Sequence, residues 1–89
     1  MIDDTTIIKM KKQLNVTDLS GEKVMIDFES GKYFMIKGAG NDIWDMIQNE
    51  ISVEAIIKNL LEIYDVSEKE CTDSVLQFLQ KMKDFDFIY

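Results

Sequence analysis

The segment Gly31-Lys-Tyr-Phe-Met-Ile-Lys-Gly-Ala-Gly-Asn-Asp-Ile-Trp44 contains the transition from strand to helix that decides the fold of this chain. Its aromatic and branched residues predict a strand that stops at Ile36. Helical spacing begins near Ile43, after a break that contains glycine. No nucleophile, general base or metal cluster accompanies this junction, which argues against a catalytic site here. We predict instead that Tyr33 to Ile36 form an open sheet edge that binds a peptide.

The composition is that of a small globular domain. The chain has 89 residues, of which 46% are hydrophobic and 30% charged, which predicts one domain, residues 1–89, with one modest core. No apolar run approaches the ~20 residues that a membrane span needs, and the acidic start Met1-Ile-Asp-Asp4 does not have the order of a secretory signal. The single cysteine has no partner for an internal disulfide. These features predict a cytoplasmic protein that does not engage a membrane.

The charge is distributed unevenly along the chain. Residues 1–37 contain six lysines and six acidic residues, whereas residues 38–89 contain four lysines and eleven acidic residues, so the second part carries the whole net charge of −7. The sequence has no arginine, which is the side chain best suited to bidentate contacts with phosphate and guanine. The composition therefore argues against nucleic acid as a partner.

Three strands are predicted in the first half of the chain, at Thr5–Met10, Lys23–Phe28 and Lys32–Ile36. Residues 11–21 are interpreted as a connection, partly extended around Leu14 to Val16. Glu29-Ser-Gly31 predicts a three-residue turn with glycine at positive φ. That turn places alternate residues of the last two strands on a core face, namely Val24, Ile26, Phe34 and Ile36. The other face then carries Met25, Asp27, Tyr33 and Met35.

Three helices are predicted after the strands. The first covers Gly40–Gln48, with Asn41 or Gly40 as its cap. The second opens at Ser52, and the third opens at Ser67-Glu-Lys-Glu70, the pattern of a capping box. A three-stranded antiparallel sheet followed by three α-helices is an α+β fold with the elements of a winged-helix-like domain.

Leu76 is an exception to the apolar stripe of the third helix. The stripe consists of Cys71, Val75, Phe78, Leu79, Met82 and Phe85. At ~100° per residue, Leu76 points about 120° from the centre of that stripe, on the side of Thr72, Leu79, Gln80 and Lys83. An apolar residue in this position either packs against a neighbouring element or lines a groove.

The sequence favours neither catalysis nor DNA binding. It contains no histidine, the usual general base and metal ligand, and Cys71 lies on the apolar stripe as a core thiol. The paired acidic residues fall on predicted helix surfaces, so no metal or cofactor is expected. The third helix, residues 67–85, has four acidic residues and three lysines, whereas a recognition helix should be basic.

Several motifs follow one another at a characteristic spacing. They are Val24-Met-Ile-Asp-Phe-Glu-Ser-Gly-Lys-Tyr-Phe-Met-Ile36, Gly40, Ile43-Trp44, Ser52-Val-Glu-Ala-Ile56, Tyr64-Asp-Val66 and Val75-Leu-Gln-Phe-Leu79. Their order resembles that of the PqqD-like family, named for a protein of pyrroloquinoline quinone biosynthesis, from about Ile7 to Ile88. Two positions depart from the family: Lys37 stands where many members have asparagine, and Phe85-Asp86 replaces the usual glycine-bearing end of the last helix.

The resemblance implies a winged-helix-like peptide-binding domain of the kind called RiPP precursor peptide recognition elements. Such domains bind the leader segment of a ribosomally synthesised precursor peptide, without catalysis or cofactor, and present the precursor to a modifying enzyme. Stand-alone members serve lasso-peptide, pyrroloquinoline quinone and radical-SAM pathways. The favoured partner here is the leader protease of a lasso pathway, and a radical-SAM enzyme is the alternative.

The resemblance also implies where the leader binds. The leader adds as a strand against the third predicted strand and lies in the groove formed with the third helix. The implied peptide-binding residues are Lys32, Tyr33, Phe34, Met35, Ile36, Thr72, Leu76, Gln80 and Lys83. This assigns Leu76 to the wall of the groove. A structural homodimer that uses the same open edge is the alternative outside this class.

Overall fold

The structure is a computed structural model that describes residues 2–3, 5–12 and 14–89. Its strands and helices are β1 (Ile7–Ile8), β2 (Asn15–Leu19), β3 (Glu22–Asp27), β4 (Lys32–Lys37), α1 (Ala39–Ile47), β5 (Ile51–Ser52), α2 (Val53–Ile63) and α3 (Glu68–Asp84). Strands β2, β3 and β4 form an antiparallel sheet in that order, and the helices follow it. The predicted α+β fold is confirmed.

The first predicted strand is not part of this sheet. Within Thr5–Met10, β1 pairs with β5, so that Ile7 lies opposite Ser52 and Ile8 opposite Ile51. The sheet takes its first strand instead from β2, in the segment predicted as a connection. The two-residue turn between β2 and β3 explains this pairing, because Ser20 and Gly21 both have positive φ angles, of 26° and 92°. Positive φ at both positions suits the tight turn of a hairpin.

The register of β3 against β4 differs by one residue from the predicted register. Asp27 pairs with Lys32 and Met25 with Phe34, so the turn has four residues, from Phe28 to Gly31. The shift exchanges the faces of β3: Met25 is fully buried, whereas Ile26 is 37% exposed. The predicted core positions of Val24 and Ile26 were therefore wrong, as were the predicted outer positions of Met25 and Asp27.

Asp27 supplies the physical reason for the four-residue turn. Its buried carboxylate accepts hydrogen bonds from the Glu29 amide and the Ser30 hydroxyl, both at 3.1 Å, and its carbonyl accepts one from the Gly31 amide at 2.8 Å. Lys12 lies 3.6 Å from the carboxylate. Burial raises the pKa of Asp27, but these hydrogen bonds and the lysine outweigh that effect and hold the pKa below its usual value.

The helix starts follow the local capping signals at α2 and α3. Ser52 accepts a hydrogen bond from the Ala55 amide at 3.1 Å, and Ser67 accepts one from the Glu70 amide at 3.1 Å, as an N-cap requires. Helix α1 begins one residue earlier than predicted, after Gly38 with φ of 63°. The predicted cap residue Asn41 lies inside α1 instead, and its side chain donates to the Gly21 carbonyl.

One hydrophobic core joins the helices to the inner face of the sheet. Its fully buried side chains are Ile8, Met25, Ile47, Val53, Ile56, Val75, Leu79, Phe87 and Ile88. After α3, Phe87 and Ile88 are buried in the core, whereas Tyr89 is exposed. Across the described residues, the helices are too short or too polar to reach from one side of a bilayer to the other.

Candidate functional site

A groove runs between strand β4 and helix α3, with the start of α1 as its floor. Its cavity has a volume of about 380 Å³. Strand β4 contributes Phe34, Met35, Ile36 and Lys37, α1 contributes Ala39, Gly40 and Ile43, and the α3 side contributes Ser74, Phe78, Lys81, Met82 and Phe85. Most of these side chains are apolar, so the groove suits an apolar side chain of a bound molecule.

The three elements meet most closely at Gly40. A Cβ atom at this position would lie 2.8 Å from the Cγ2 atom of Ile36 and 3.2 Å from the ring of Phe78. These distances are shorter than ordinary carbon–carbon contacts. Glycine is therefore the residue that allows α1 to approach both walls of the groove.

Three aromatic rings pack at one end of the groove. The ring centroids of Phe34 and Phe85 are 4.4 Å apart, and those of Phe34 and Phe87 are 5.1 Å apart with the rings nearly perpendicular. Phe87 is fully buried, whereas Phe85 is 37% exposed. The cluster thus attaches the strand wall to the end of α3 and leaves one aromatic face accessible from the groove.

The outer edge of β4 is open. Strand β4 lies at the end of the order β2-β3-β4, and within the described residues no strand pairs with its other side. Alternate residues of such a strand direct their backbone N–H and C=O groups away from the sheet. These groups lie beside the groove and are available to an added strand.

The charged groups at the groove are lysines. Lys37 at the end of β4 and Lys81 on α3 both line the cavity. The protein as a whole carries a net charge of −7, whereas these two lysines place positive charge at the groove. Two positive groups across a narrow apolar groove favour an acidic group on a ligand between them.

The family model described as coenzyme PQQ synthesis protein D (PqqD) matches residues 22–88, which include β3, β4 and all three helices. The chain belongs to the PqqD family. No curated protein matches it. A solved structure described as TbiB1 in complex with the TbiA(beta) leader peptide has the same fold, with a TM-score of 0.80 and 19% sequence identity. The similarity covers 90% of this chain and 93% of TbiB1.

The sequence-predicted strand residues of this PqqD-family chain lie at the groove or beside it. Phe34, Met35 and Ile36 line the cavity. Lys32 and Tyr33 belong to the same strand, and both are exposed, Tyr33 to 74%. The register places Tyr33 and Met35 on the outer face of the sheet, as predicted, while Phe34 and Ile36 point towards the core.

The sequence-predicted helix residues are not brought to the groove. Thr72 and Leu76 line a different cavity, which they share with α2. Gln80 and Lys83 are exposed on α3, and the Gln80 side chain donates to Asp84 at 3.0 Å. Leu76 is half-buried and packs against the core from that side. The binding role of these four residues stays a prediction.

The groove wall of α3 consists instead of Ser74, Phe78, Lys81 and Phe85. Their spacing of four, three and four residues places them along one flank of the helix. Phe78 and Phe85 were predicted as core residues because they belong to the apolar stripe of this helix. Leu76 and Phe78 are two positions apart, which places them about 160° apart around the helix. The sequence signal that was missed is the width of the apolar face of α3. This face is wider than the contact with the core can cover, so part of it is left for the groove.

The single thiol is not among the residues that line the groove. Cys71 is buried and donates weakly to the Ile57 carbonyl at 3.8 Å. Burial, together with the nearby Glu68 carboxylate, raises the pKa of the Cys71 thiol, so the thiol is protonated at neutral pH and is a poor nucleophile. Among the described residues, no three potential metal ligands come together.

Proposed function

We propose that this protein binds the leader segment of a ribosomally synthesised precursor peptide by strand addition to β4. The observation that carries this proposal is the open edge of β4 beside an apolar groove walled by α3. Strand addition uses main-chain hydrogen bonds for affinity and side-chain pockets for specificity. TbiB1, which shares the fold, is solved in complex with a leader peptide, and this supports a leader peptide as the ligand.

The dimensions of β4 suit a short extended segment of the leader. Its six residues span about 20 Å at ~3.3 Å per residue. Side chains of an added strand alternate between the two faces of the sheet. One set would enter the groove against Phe34 and Phe78, and the other would lie on the outer face beside Tyr33 and Met35. The volume of about 380 Å³ accommodates bulky apolar side chains of the first set.

The charges at the groove favour a leader with an acidic residue beside its apolar anchors. Lys37 and Lys81 stand on opposite walls, and a carboxylate between them would gain charge-assisted hydrogen bonds. The proposal is thus for an extended leader segment that combines apolar and acidic residues.

We further propose that the bound precursor is presented to a separate modifying enzyme. The resemblance to stand-alone recognition elements supports this step, with a leader protease of lasso-peptide biosynthesis as the first choice and a radical-SAM enzyme as the alternative. Reconstitution with each purified enzyme type separates them: the true partner should process the precursor faster when this protein is added. Processing at an unchanged rate by both enzymes would exclude both choices.

Peptide binding is tested first at the backbone of β4. Synthetic leaders from short precursor-like reading frames beside the gene, together with the TbiA(beta) leader, serve as probes in titration calorimetry and amide NMR. Binding should shift the amide signals of β4 and α3. Met35→Pro should weaken it because proline removes an amide donor or distorts the strand, whereas Met35→Ala keeps the amide and serves as the control. Equal binding by both variants would refute strand addition.

The helix wall is tested by two matched pairs of substitutions. Phe78→Ala and Lys81→Glu alter the flank that faces β4, whereas Leu76→Ala and Lys83→Glu alter the opposite flank. We expect Lys81→Glu to weaken leader binding at least about tenfold, which corresponds to ~1.4 kcal/mol, and Lys83→Glu to have little effect. If the Leu76 and Lys83 variants lose binding while the Phe78 and Lys81 variants keep it, the wall proposed from the sequence is the correct one.

A homodimer is the second candidate, because the outer face of the sheet is apolar and exposed. Tyr33 is 74% exposed and Met35 56%. Static light scattering at micromolar concentration decides between the two: a stable dimer that dissociates in a Tyr33→Ser variant would support this face as a subunit interface. If the protein is a monomer at all concentrations, the homodimer is excluded and the outer face remains free beside the bound leader.

A further inference from the structure

A second apolar cavity lies on the flank of α3 that faces α2, away from the groove. We call it the back surface; it is lined by Ile2, Asp3, Glu54, Ile57, Lys58, Leu61, Glu62, Glu68, Thr72 and Leu76, with a volume of about 840 Å³. Its floor is formed by the apolar residues of this set, namely Ile2, Ile57, Leu61 and Leu76. Leu61 and Leu76 are only half-buried, so this floor remains accessible to a partner.

The rim of the back surface is acidic. Four carboxylates line it, those of Asp3, Glu54, Glu62 and Glu68, against one lysine, Lys58. Among the ion pairs formed by the described residues, none involves Glu54, Glu62 or Glu68. The back surface therefore combines an apolar floor with carboxylates that form no ion pair within the described residues. Such a surface is complementary to a basic, amphipathic segment.

We infer that the back surface is a second protein-docking site, and that its occupant is a basic amphipathic helix of a partner protein. Apolar residues of such a helix would cover Leu61 and Leu76, and lysines or arginines beside them would meet the carboxylates of the rim. A shallow groove between two helices is a common receptor for such a segment. This inference stands on the back surface alone and does not depend on leader binding.

A second copy of this chain fits the back surface poorly. A symmetric contact would place the same patch on both subunits, and the four carboxylates of each patch would then face those of the other. Like charges at close range oppose such pairing. A basic partner, in contrast, is attracted by the acidic field of the helices.

The position of the back surface allows both sites to be occupied together. Leu76 and Phe78 point to opposite flanks of α3, about 160° apart, and the core residues Val75 and Leu79 are fully buried in this helix. A leader in the groove would therefore leave the back surface free. A partner that docks there would share one helix with the leader without competing for it.

The test uses a synthetic amphipathic peptide of leucine and lysine, about four helical turns long, as the probe. Amide NMR titration should shift the signals of Leu61, Glu62 and Leu76. The same peptide with glutamate in place of lysine, or serine in place of leucine, should not bind. Prior saturation with a leader peptide should leave the affinity for the probe unchanged.

Two double variants with the same change in net charge separate site-specific docking from general attraction. Glu62→Lys with Glu68→Lys should weaken probe binding at least about tenfold. Asp18→Lys with Glu29→Lys, in β2 and in the turn after β3, should weaken it about twofold or less, because neither residue lines the back surface. Equal losses in both would mean attraction by overall charge and would overturn the proposal. Amide shifts confined to other surfaces would also overturn the proposal. The same holds if the free protein is a dimer that the substitution Leu76→Ser dissociates.

The outcome is distinguishable from that of the leader experiments. Docking at the back surface is detected at α2 and the facing flank of α3, whereas leader binding is detected at β4 and the Phe78 flank. Because Glu62 and Glu68 are exposed, their replacement leaves the core intact. Cooperative urea unfolding of both double variants would verify this, with a slightly lower midpoint for the Glu62/Glu68 variant because Glu68 lies in the first turn of α3, where an acidic side chain is stabilising.

Discussion

Replacement of Gly40 by alanine should destabilise the protein although it replaces a glycine within a helix. Alanine favours a helix over glycine by up to about 1 kcal/mol. The added methyl group, however, would lie 2.8 Å from the Cγ2 atom of Ile36 and 3.2 Å from the Phe78 ring. Ile36 is buried, and its Cγ2 atom is attached directly to Cβ, so it has little freedom to move away.

The expected magnitude follows from these two opposing contributions. Overpacking of a well-packed site costs about 1–3 kcal/mol, which exceeds the gain in helix propensity and leaves a net loss of about 0–2 kcal/mol. Urea unfolding followed by the fluorescence of Trp44, which is buried, measures this loss. A Gly40→Ala variant more stable than the wild type would refute the close approach of α1 to β4 at this position.

A double-mutant cycle identifies the atom responsible. Leucine in place of Ile36 has no branch at Cβ, so the Ile36→Leu background removes the Cγ2 contact. Gly40→Ala should then cost less than in the wild type, with a coupling energy of about 1 kcal/mol, within the range observed for residues in contact. Additive effects would show that the two residues do not touch. Because Phe78 is displaced as well, leader binding should weaken in the single variant.

Two further predictions concern the core and the turn. Because Phe87 is fully buried, Phe87→Ala should cost roughly 3–5 kcal/mol of stability, a large part of the ~5–15 kcal/mol that stabilises a domain. Tyr89→Ala, at an exposed position, should cost less than ~1 kcal/mol. Equal urea midpoints for the two variants would contradict this prediction. The pKa of the Asp27 carboxyl is lowered in the folded state. Its contribution to stability is therefore fully present above the pKa that an aspartate has in the unfolded chain, about 3.9. This contribution is lost as the pH falls through the pKa of Asp27 in the folded state. Asp27→Asn should therefore have a shallower loss of stability below about pH 4 than the wild type, and an unchanged slope would count against the role of this carboxylate.

The helices could be predicted from the sequence because their signals are local. Ser52 and Ser67 cap the amide three residues later in each case, and neither cap depends on the tertiary structure. The buried faces of α2 and α3 follow from helical periodicity. Such features are determined within one or two helical turns.

The sheet could be predicted only in part because its register depends on one side chain. The Asp27 carboxylate organises a four-residue turn, whereas the position of Gly31 alone suggested three residues. An aspartate that accepts a hydrogen bond from the amide two residues later is a known turn signal, and it was present in the sequence. The pairing of Ile7–Ile8 with β5 has no such signal, since two residues show no periodicity and the partner strands are far apart in the sequence.

The strand wall of the candidate site could be predicted, but the helix wall could not. The open edge was predicted from the residues of the strand and from the family resemblance, because periodicity does not give the order of the strands. Which flank of α3 faces β4 depends on how the helix packs against α1, and Gly40 controls that contact. Periodicity identifies an apolar face without saying how two neighbouring elements divide it.

The pairing of the first and last described segments has a consequence for the order of folding. Met10 forms a bridge with Ile88, and the amide of Lys11 donates to the carbonyl of Phe87 at 2.8 Å. During synthesis, residue 88 is added 78 positions after residue 10 (88 − 10). The hairpins of the sheet are local and can form early, whereas residues 9–11 cannot make their contacts with residues 87–89 until this later segment has left the ribosome. Until then, the apolar side chains that Phe87 and Ile88 cover remain open to other chains, so the docking of this segment ends a period in which the nascent chain is prone to aggregate.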